Sequence, residues 1–321
     1  MMCTKHVMMI AVVVSGLPVH AQDFPVRNVR VIAPFPAGGG TDLNVRRLAE
    51  RLTKLWGQQV VVENIAGAAG GLAAVTVARA KPDGYTLFFV THPVIAINPA
   101  LYDKLAYDPD KDFAPIVQVS ETPSVLLATP ALQVATVSEL IALAKARPGT
   151  LHFGSGGMGT SLHLAGELFK SAAAIELTHV PYKGVTPALT AMVGNEIQLL
   201  FDSSSSAIAQ IRGGRVRGIA IASLARLPAL SDVPTFDESG LRGFTSTLAH
   251  GLLAPAATPV AVISAVNRDV NAILKDADYR KLMGDLGVNL VGGTANQFRA
   301  FLATERKKWA GLILKLGIKA E

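Results

Sequence analysis

One pattern recurs along this chain and constrains its fold more than any other. A short β-branched apolar run is followed by a glycine-rich turn and then by residues at amphipathic helical spacing. The first instance is Val29-Arg30-Val31-Ile32-Ala33, then the turn Pro34 to Asp42, then Leu48, Leu52 and Leu55 at i, i+4 and i+7. The second is Val60-Val61-Val62, then Asn64 to Gly71, then an alanine-rich helix to about Ala80. Lys81-Pro82-Asp83-Gly84 is a turn, and Thr86–Val90 is a third strand leading into Thr91-His92-Pro93. Further strands are predicted at 116–119, 124–129, 151–153, 177–180, 197–201, 216–221 and 248–254. Helices are predicted at 137–146, from Ser161, at 187–192, and near the end at 260–274, 277–286 and 295–316. Arg226 to Gly243, with its prolines and glycines, is an irregular connection. Strands alternating with helices predict an α/β fold of mixed, mostly parallel sheets with helices on both faces. There are too many units for one sheet of ordinary width, so two sheets are expected.

Composition supports this and narrows the function. The 321 residues are half hydrophobic and only 17% charged, which excludes a disordered chain. Lysine and arginine exceed the acids by 30 − 24 = +6, but the charge is scattered. Aromatics are 6% and are not interleaved with a basic run, so no nucleic-acid partner is expected. Lys5, the apolar stretch Val7–Leu17, Pro18 and Val19-His20-Ala21 have the layout of a secretory signal peptide over residues 1–21. The only cysteine, Cys3, lies in that leader, so the exported chain is expected to need no disulfides. No later apolar run is long enough to span a bilayer, so the exported chain is not expected to be membrane-embedded.

Catalytic motifs do not assemble. Phe153 stands where a G-x-S-x-G elbow around Ser155 needs its first glycine. The seven histidines show no metal-ligand spacing, and no metal or cofactor is expected. Gly154-Ser155-Gly156-Gly157-Met158-Gly159 matches a dinucleotide fingerprint, but it lies mid-chain, and Glu176 precedes the next strand instead of ending it.

What remains is a set of loops rich in Gly, Ser and Thr at the carboxyl ends of strands, the edge where open α/β sheets bind ligands. Glycine there lets backbone N–H groups approach an anion at a helix N-terminus. The candidate site residues from the first half of the chain are Gly38, Gly39, Gly40, Thr41, Asp42, Gly70, Gly71, Thr91 and His92. From the second half they are Ser155, Gly156, Gly159, Thr160, Ser161, His163, Tyr182 and Asp202. Ser155, Thr160 and the N–H groups around Gly156–Gly159 are expected to hold a ligand carboxylate, with Lys183 contributing little. Competing roles stay open. Thr41, Asp42 and Asp202 also suit helix caps, His163 a structural hydrogen bond, and Tyr182 either a cleft wall or packing beneath it.

Several of these segments together resemble one known family. They include Phe35-Pro36-Ala37-Gly38-Gly39-Gly40-Thr41-Asp42, Pro82-Asp83-Gly84-Tyr85-Thr86-Leu87 and Asp112-Phe113-Ala114-Pro115. Others are His163-Leu164-Ala165-Gly166-Glu167-Leu168-Phe169, His179-Val180-Pro181-Tyr182-Lys183-Gly184 and Gly251-Leu252-Leu253-Ala254-Pro255-Ala256. In this order they resemble the Bug/TctC family, the periplasmic solute receptors of tripartite tricarboxylate transporters. The resemblance spans essentially all of 22–321. It implies a two-lobed periplasmic binding fold that closes by a hinge on one small organic carboxylate. It further implies that the carboxylate is grasped by backbone, Ser/Thr groups and ordered waters, with no arginine clamp. Two integral membrane transporter subunits would be the partners, and the receptor itself would be a monomer. The lobes are expected at 22–120 with 250–321, and at 121–249. Thr91-His92-Pro93-Val94-Ile95 replaces the small polar stretch usual in the family and puts an amino-acid ligand in question. A periplasmic ligand sensor or an exported α/β hydrolase would share the leader and the fold class.

Overall fold

The computed structural model describes residues 24–316, so the expected leader lies outside the described residues. The elements begin β1 (Val29–Ala33), α1 (Gly40–Trp56), β2 (Val60–Asn64), α2 (Gly71–Ala78), β3 (Thr86–Thr91), α3 (His92–Ala96) and α4 (Asn98–Leu101). They continue with β4 (Phe113–Ala128), α5 (Val137–Ala146), β5 (His152–Ser155), α6 (Ser161–Ala173), β6 (Thr178–Pro181) and α7 (Val185–Val193). Then come β7 (Leu199–Ser203), α8 (Ser204–Arg212), β8 (Arg217–Ile221), β9 (Thr247–Pro255), α9 (Val260–Lys275), α10 (Ala277–Asp285), β10 (Asn289–Leu290) and α11 (Ala295–Leu316).

Two lobes result, each with its own mixed sheet. In the first, β2, β1 and β3 are parallel neighbours and β9 joins β3 antiparallel. In the second, β6, β5 and β7 are parallel neighbours, and β4 lies between β7 and β8, antiparallel to both. The two strands expected at 116–119 and 124–129 are one 16-residue strand, β4. Its first part, to Pro123, pairs with β9, and Ser124–Ala128 pairs with β7. One strand therefore serves both lobes, which no local pattern in its sequence announces.

The period-two pattern of the strands explains the layering. Val29, Val31, Leu87 and Phe89 face a core built with α1, α9 and α10, while Ile32, Phe88 and Val90 face one built with α2, α3 and α11. In the second lobe Leu126 and Ala128 face α5 and α6, and Val125 and Leu127 face α7 and α8. On α1 the buried stripe runs Val45, Leu48, Ala49, Leu52. Leu55, expected on that stripe, is instead exposed, and Trp56 takes its place against the core in the last turn.

Candidate ligand-binding cleft

The chain reverses from strand to helix at the same edge of both sheets, and these reversals face one another across the cleft. They line a partly open cleft with about 480 Å³ of empty space, part of it open to solvent. From the first lobe it is lined by the β1–α1 loop at Phe35, Pro36, Gly39, Gly40 and Thr41, and also by Thr91, Pro93 and Leu248. From the second lobe come Gly156, Thr160, Ser161, Val185 and Ser203. These residues place the beginnings of α1, α6, α7 and α8 at the cavity. The first N–H groups of a helix have no partner within it, and they carry the positive end of its dipole. None of the lining residues is charged. The cleft thus presents helix N-termini and no charged side chain, a setting that suits an anion.

The hydroxyls at the cavity divide into those already bonded within the protein and those that are not. Thr41 Oγ1 meets His250 Nε2 at 3.2 Å, and His250 Nδ1 lies 3.4 Å from Ser120 Oγ. Thr160 caps α6, accepting from the His163 N–H at 3.2 Å while donating to the Gly157 carbonyl at 2.9 Å. Ser203 Oγ lies 3.2 Å from Ser205 Oγ and 3.3 Å from Ser206 Oγ. By contrast, Thr91 Oγ1 and Ser161 Oγ are buried without a hydrogen-bond partner. They come from opposite lobes, are 0% and 1% exposed, and both line the cavity. A buried hydroxyl left unpaired costs about 1–3 kcal/mol, so two at one cavity mark where a ligand's polar atoms belong.

Several candidate residues brace this cleft without lining it. Ser155 is fully buried, with its Oγ 2.7 Å from His179 Nε2 and accepting from the Gly157 N–H at 3.2 Å, so its hydroxyl shapes the loop. Gly159, at φ 76°, turns the loop so that its N–H donates to His163 Nδ1 at 3.2 Å. His163 therefore acts as a strut, stacked on His179 at 4.1 Å, and burial lowers its pKa to about 3. His92 likewise turns into the protein: its Nδ1 accepts the Ala249 N–H at 3.1 Å and burial lowers its pKa to about 3. Asp42 accepts from the Gly38 N–H at 3.0 Å and from Arg46 Nε at 2.9 Å. Burial pushes its carboxyl up, but hydrogen bonds from Arg46, Gly38 and Asn64 outweigh that and hold it low. Asp202 is not a helix cap but the next-to-last residue of β7, accepting from the Ser203 N–H at 2.6 Å and from the Ser206 hydroxyl. Burial pushes its pKa up to about 6. Gly70 sits beside Val94 and Pro34, and Gly71 beside Ala68 and Tyr107; neither lines the cavity. Tyr182 packs against the α7 and α8 side of its lobe and contributes no lining, and Lys183 is exposed.

Sequence reasoning missed six lining residues: Phe35, Pro36, Pro93, Val185, Ser203 and Leu248. The first three lay inside segments already singled out, and Ser203 inside the serine run after Asp202. Leu248 gave no signal, because nothing local tells that the first residues of β9 turn toward the other lobe.

A family model described as the tripartite tricarboxylate transporter family receptor matches residues 44–318. The chain is 33% identical over 303 residues to Protein BugT of Bordetella pertussis, covering 94% of this chain and 93% of that protein. It matches the structure of R. palustris Rpa4515 with adipate at a TM-score of 0.90 and 32% identity, covering 92% of this chain and 99% of that one. It matches MatC (Rpa3494) from Rhodopseudomonas palustris with bound malate at a TM-score of 0.84 and 33% identity, covering 90% and 100%.

Proposed function

Because the chain belongs to the tripartite tricarboxylate transporter receptor family, we propose that it captures a small organic carboxylate in the periplasm and delivers it to the two membrane subunits of such a transporter. The observation that carries this reading is the pair of buried, unpartnered hydroxyls of Thr91 and Ser161, set on opposite lobes at helix beginnings. A carboxylate between them accepts both hydroxyls and the free N–H groups of α6, each charge-assisted bond contributing roughly 1.5–3 kcal/mol. The adipate and malate named with the two R. palustris structures belong to the same chemical class.

Holding the ligand from both lobes couples binding to closure. The lobes meet around the cleft through Thr186 Oγ1 donating to the Ala37 carbonyl at 3.1 Å and Tyr102 Oη to the Met158 carbonyl at 3.3 Å. Ser204 Oγ donates to the Gly287 carbonyl at 2.8 Å. Gly184, at φ 122°, brings its backbone so close to the Pro36 ring that a Cβ would collide with it. The hinge is assigned to β4 and β9, the strands that run from one lobe toward the other.

Ligand chemistry is not part of the proposal. Ser155 and His179 form a short hydrogen bond, but Ser155 is fully buried and does not line the cavity. The decisive experiment titrates the purified chain with mono-, di- and tricarboxylates by calorimetry and small-angle scattering. A bound acid should reduce the radius of gyration and be recovered unchanged. Turnover of the acid by pure protein, or saturation without compaction, overturns the receptor reading. Acid-stimulated uptake should require both membrane subunits; a response that persists without them points to a sensor.

A further inference from the structure

Resting on the carboxylate reading above, we infer that the ligand bears one carboxylate and an uncharged, apolar body, so that neither a dicarboxylate nor an amino acid is the preferred cargo. Four helices of eight residues or more begin at the cavity, but two of their positive ends already face a carboxylate of the protein. In the first turn of α1, Asp42 takes the Gly38 N–H and is itself held by Arg46. At the start of α8, the wholly buried Asp202 takes the Ser203 N–H and the Ser206 hydroxyl. The other two, α6 and α7, carry no acidic residue in their first turns. They also adjoin: a Cβ added at Gly156, in the loop before α6, would stand 3.5 Å from the Val185 N at the start of α7.

The unpartnered Ser161 hydroxyl sits at this α6–α7 pole, and the unpartnered Thr91 hydroxyl lines the same cavity from the other lobe. The remaining hydroxyls at the cavity are spent on protein partners. The cleft therefore offers one pole for an anion. The rest of its lining is Gly39 and Gly40 at the α1 end that Asp42 already faces, the bonded hydroxyls of Thr41 and Ser203, and Phe35, Pro36, Pro93, Val185 and Leu248, whose side chains offer neither donor nor acceptor. A second carboxylate pressed against them would lose its hydration with nothing in return, and an ammonium would find no lining carboxylate. An apolar chain gains from the same surface.

The test uses acids of equal chain length that differ only at the far end. Calorimetry compares hexanoate, adipate and 6-aminohexanoate, then butyrate, succinate and 4-aminobutyrate, then benzoate and terephthalate. The simple monocarboxylate should bind at least about tenfold tighter than its partners in every set that shows binding. An equal or greater affinity for the diacid or the amino acid overturns this inference and leaves the carboxylate receptor standing. Silence from every acid overturns both. In Asp202→Asn the α8 end loses its internal charge, so the disadvantage of the diacid should shrink. A disadvantage that does not move refutes the part assigned to Asp202.

Discussion

Ser161→Ala should change stability and binding in opposite directions. With the cleft closed and empty, Ser161 Oγ is buried and unpaired, a condition that costs about 1–3 kcal/mol. Removing it leaves α6 capped by Thr160 and substitutes alanine, a good helix former, at the first helical position. The empty closed form should gain on the order of 1 kcal/mol, which raises the ligand-free unfolding midpoint by up to roughly 1–2 °C in a chain of this size. With ligand, the variant lacks one hydrogen bond to a carboxylate, roughly 1.5–3 kcal/mol, so Kd should rise about tenfold to a hundredfold. Thr91→Val is nearly isosteric and should behave the same way from the other lobe. Thr160→Ala supplies the contrast. Its hydroxyl is the α6 cap, so its loss should destabilise the ligand-free protein by about 1 kcal/mol. Thermal unfolding without ligand and calorimetry with it read the two signs separately. If Ser161→Ala melts lower than the parent and keeps its Kd, the hydroxyl is structural and the ligand pole is misassigned.

Acid should weaken the fold well above the usual carboxylate range. Burial lowers the pKa of His92, His163 and His250 to about 3 and that of His179 to about 4, whereas an unfolded histidine takes up its proton near about 6.5. Below that pH the unfolded chain binds more protons, so stability falls as pH falls, by roughly 2 kcal/mol per histidine between about pH 7 and about pH 5. Asp202, pushed up to about 6 by burial, works the other way and returns roughly 1 kcal/mol, leaving a net loss of roughly 6–7 kcal/mol over the four histidines. Urea unfolding at the two pH values measures this, and a stability that is flat or rising toward acid refutes the neutral buried imidazoles. Gly40→Ala places a Cβ inside contact distance of the Ser203 and Ser205 hydroxyls across the cleft. It should obstruct closure, leaving the ligand-free midpoint unchanged while weakening binding by at least about tenfold. Unchanged affinity in that variant would show that the lobes need not meet there.

Much of the fold was legible because its signals are local. The strand, glycine turn and helix units are written in adjacent residues, and β1, α1, β3 and α6 stand where those signals put them. The continuity of β4 was not legible, since it depends on β9, β7 and β8, strands more than fifty residues away in sequence. The site shows the same division. The loops at Gly39–Thr41, Thr91 and Gly156–Ser161 were readable from glycine and hydroxyl content, and all line the cavity. Which hydroxyls remain free was not readable. Ser155 and Thr41 are consumed by His179 and His250, histidines that sequence reasoning had given no role. His92 looked like a loop residue, yet Pro93 helps start a short helix there, and the ring lies buried with Trp309 of α11 at 6.4 Å.

That division bears on how a cleft without a cation can still be selective. An arginine would attract any anion and would keep its charge in the open state. Helix beginnings and hydroxyls have no net charge, so their pull is strong only when closure excludes water and lowers the local dielectric. Closing the lobes without a ligand strands the Thr91 and Ser161 hydroxyls at about 1–3 kcal/mol each. Closure is favoured by the three interlobe hydrogen bonds at Thr186, Tyr102 and Ser204, about 0.5–1.5 kcal/mol each, and by Leu164 of the second lobe packing with Ile97, Leu101, Trp309 and Ile313 of the first. A ligand that satisfies both hydroxyls removes that cost and adds its own bonds, which shifts the equilibrium toward the closed form. The histidines around the cleft complete the argument by staying neutral. A charged His250 under Thr41 would hold an anion in the open state, whereas burial keeps that imidazole uncharged, so the positive pole remains the one that closure makes.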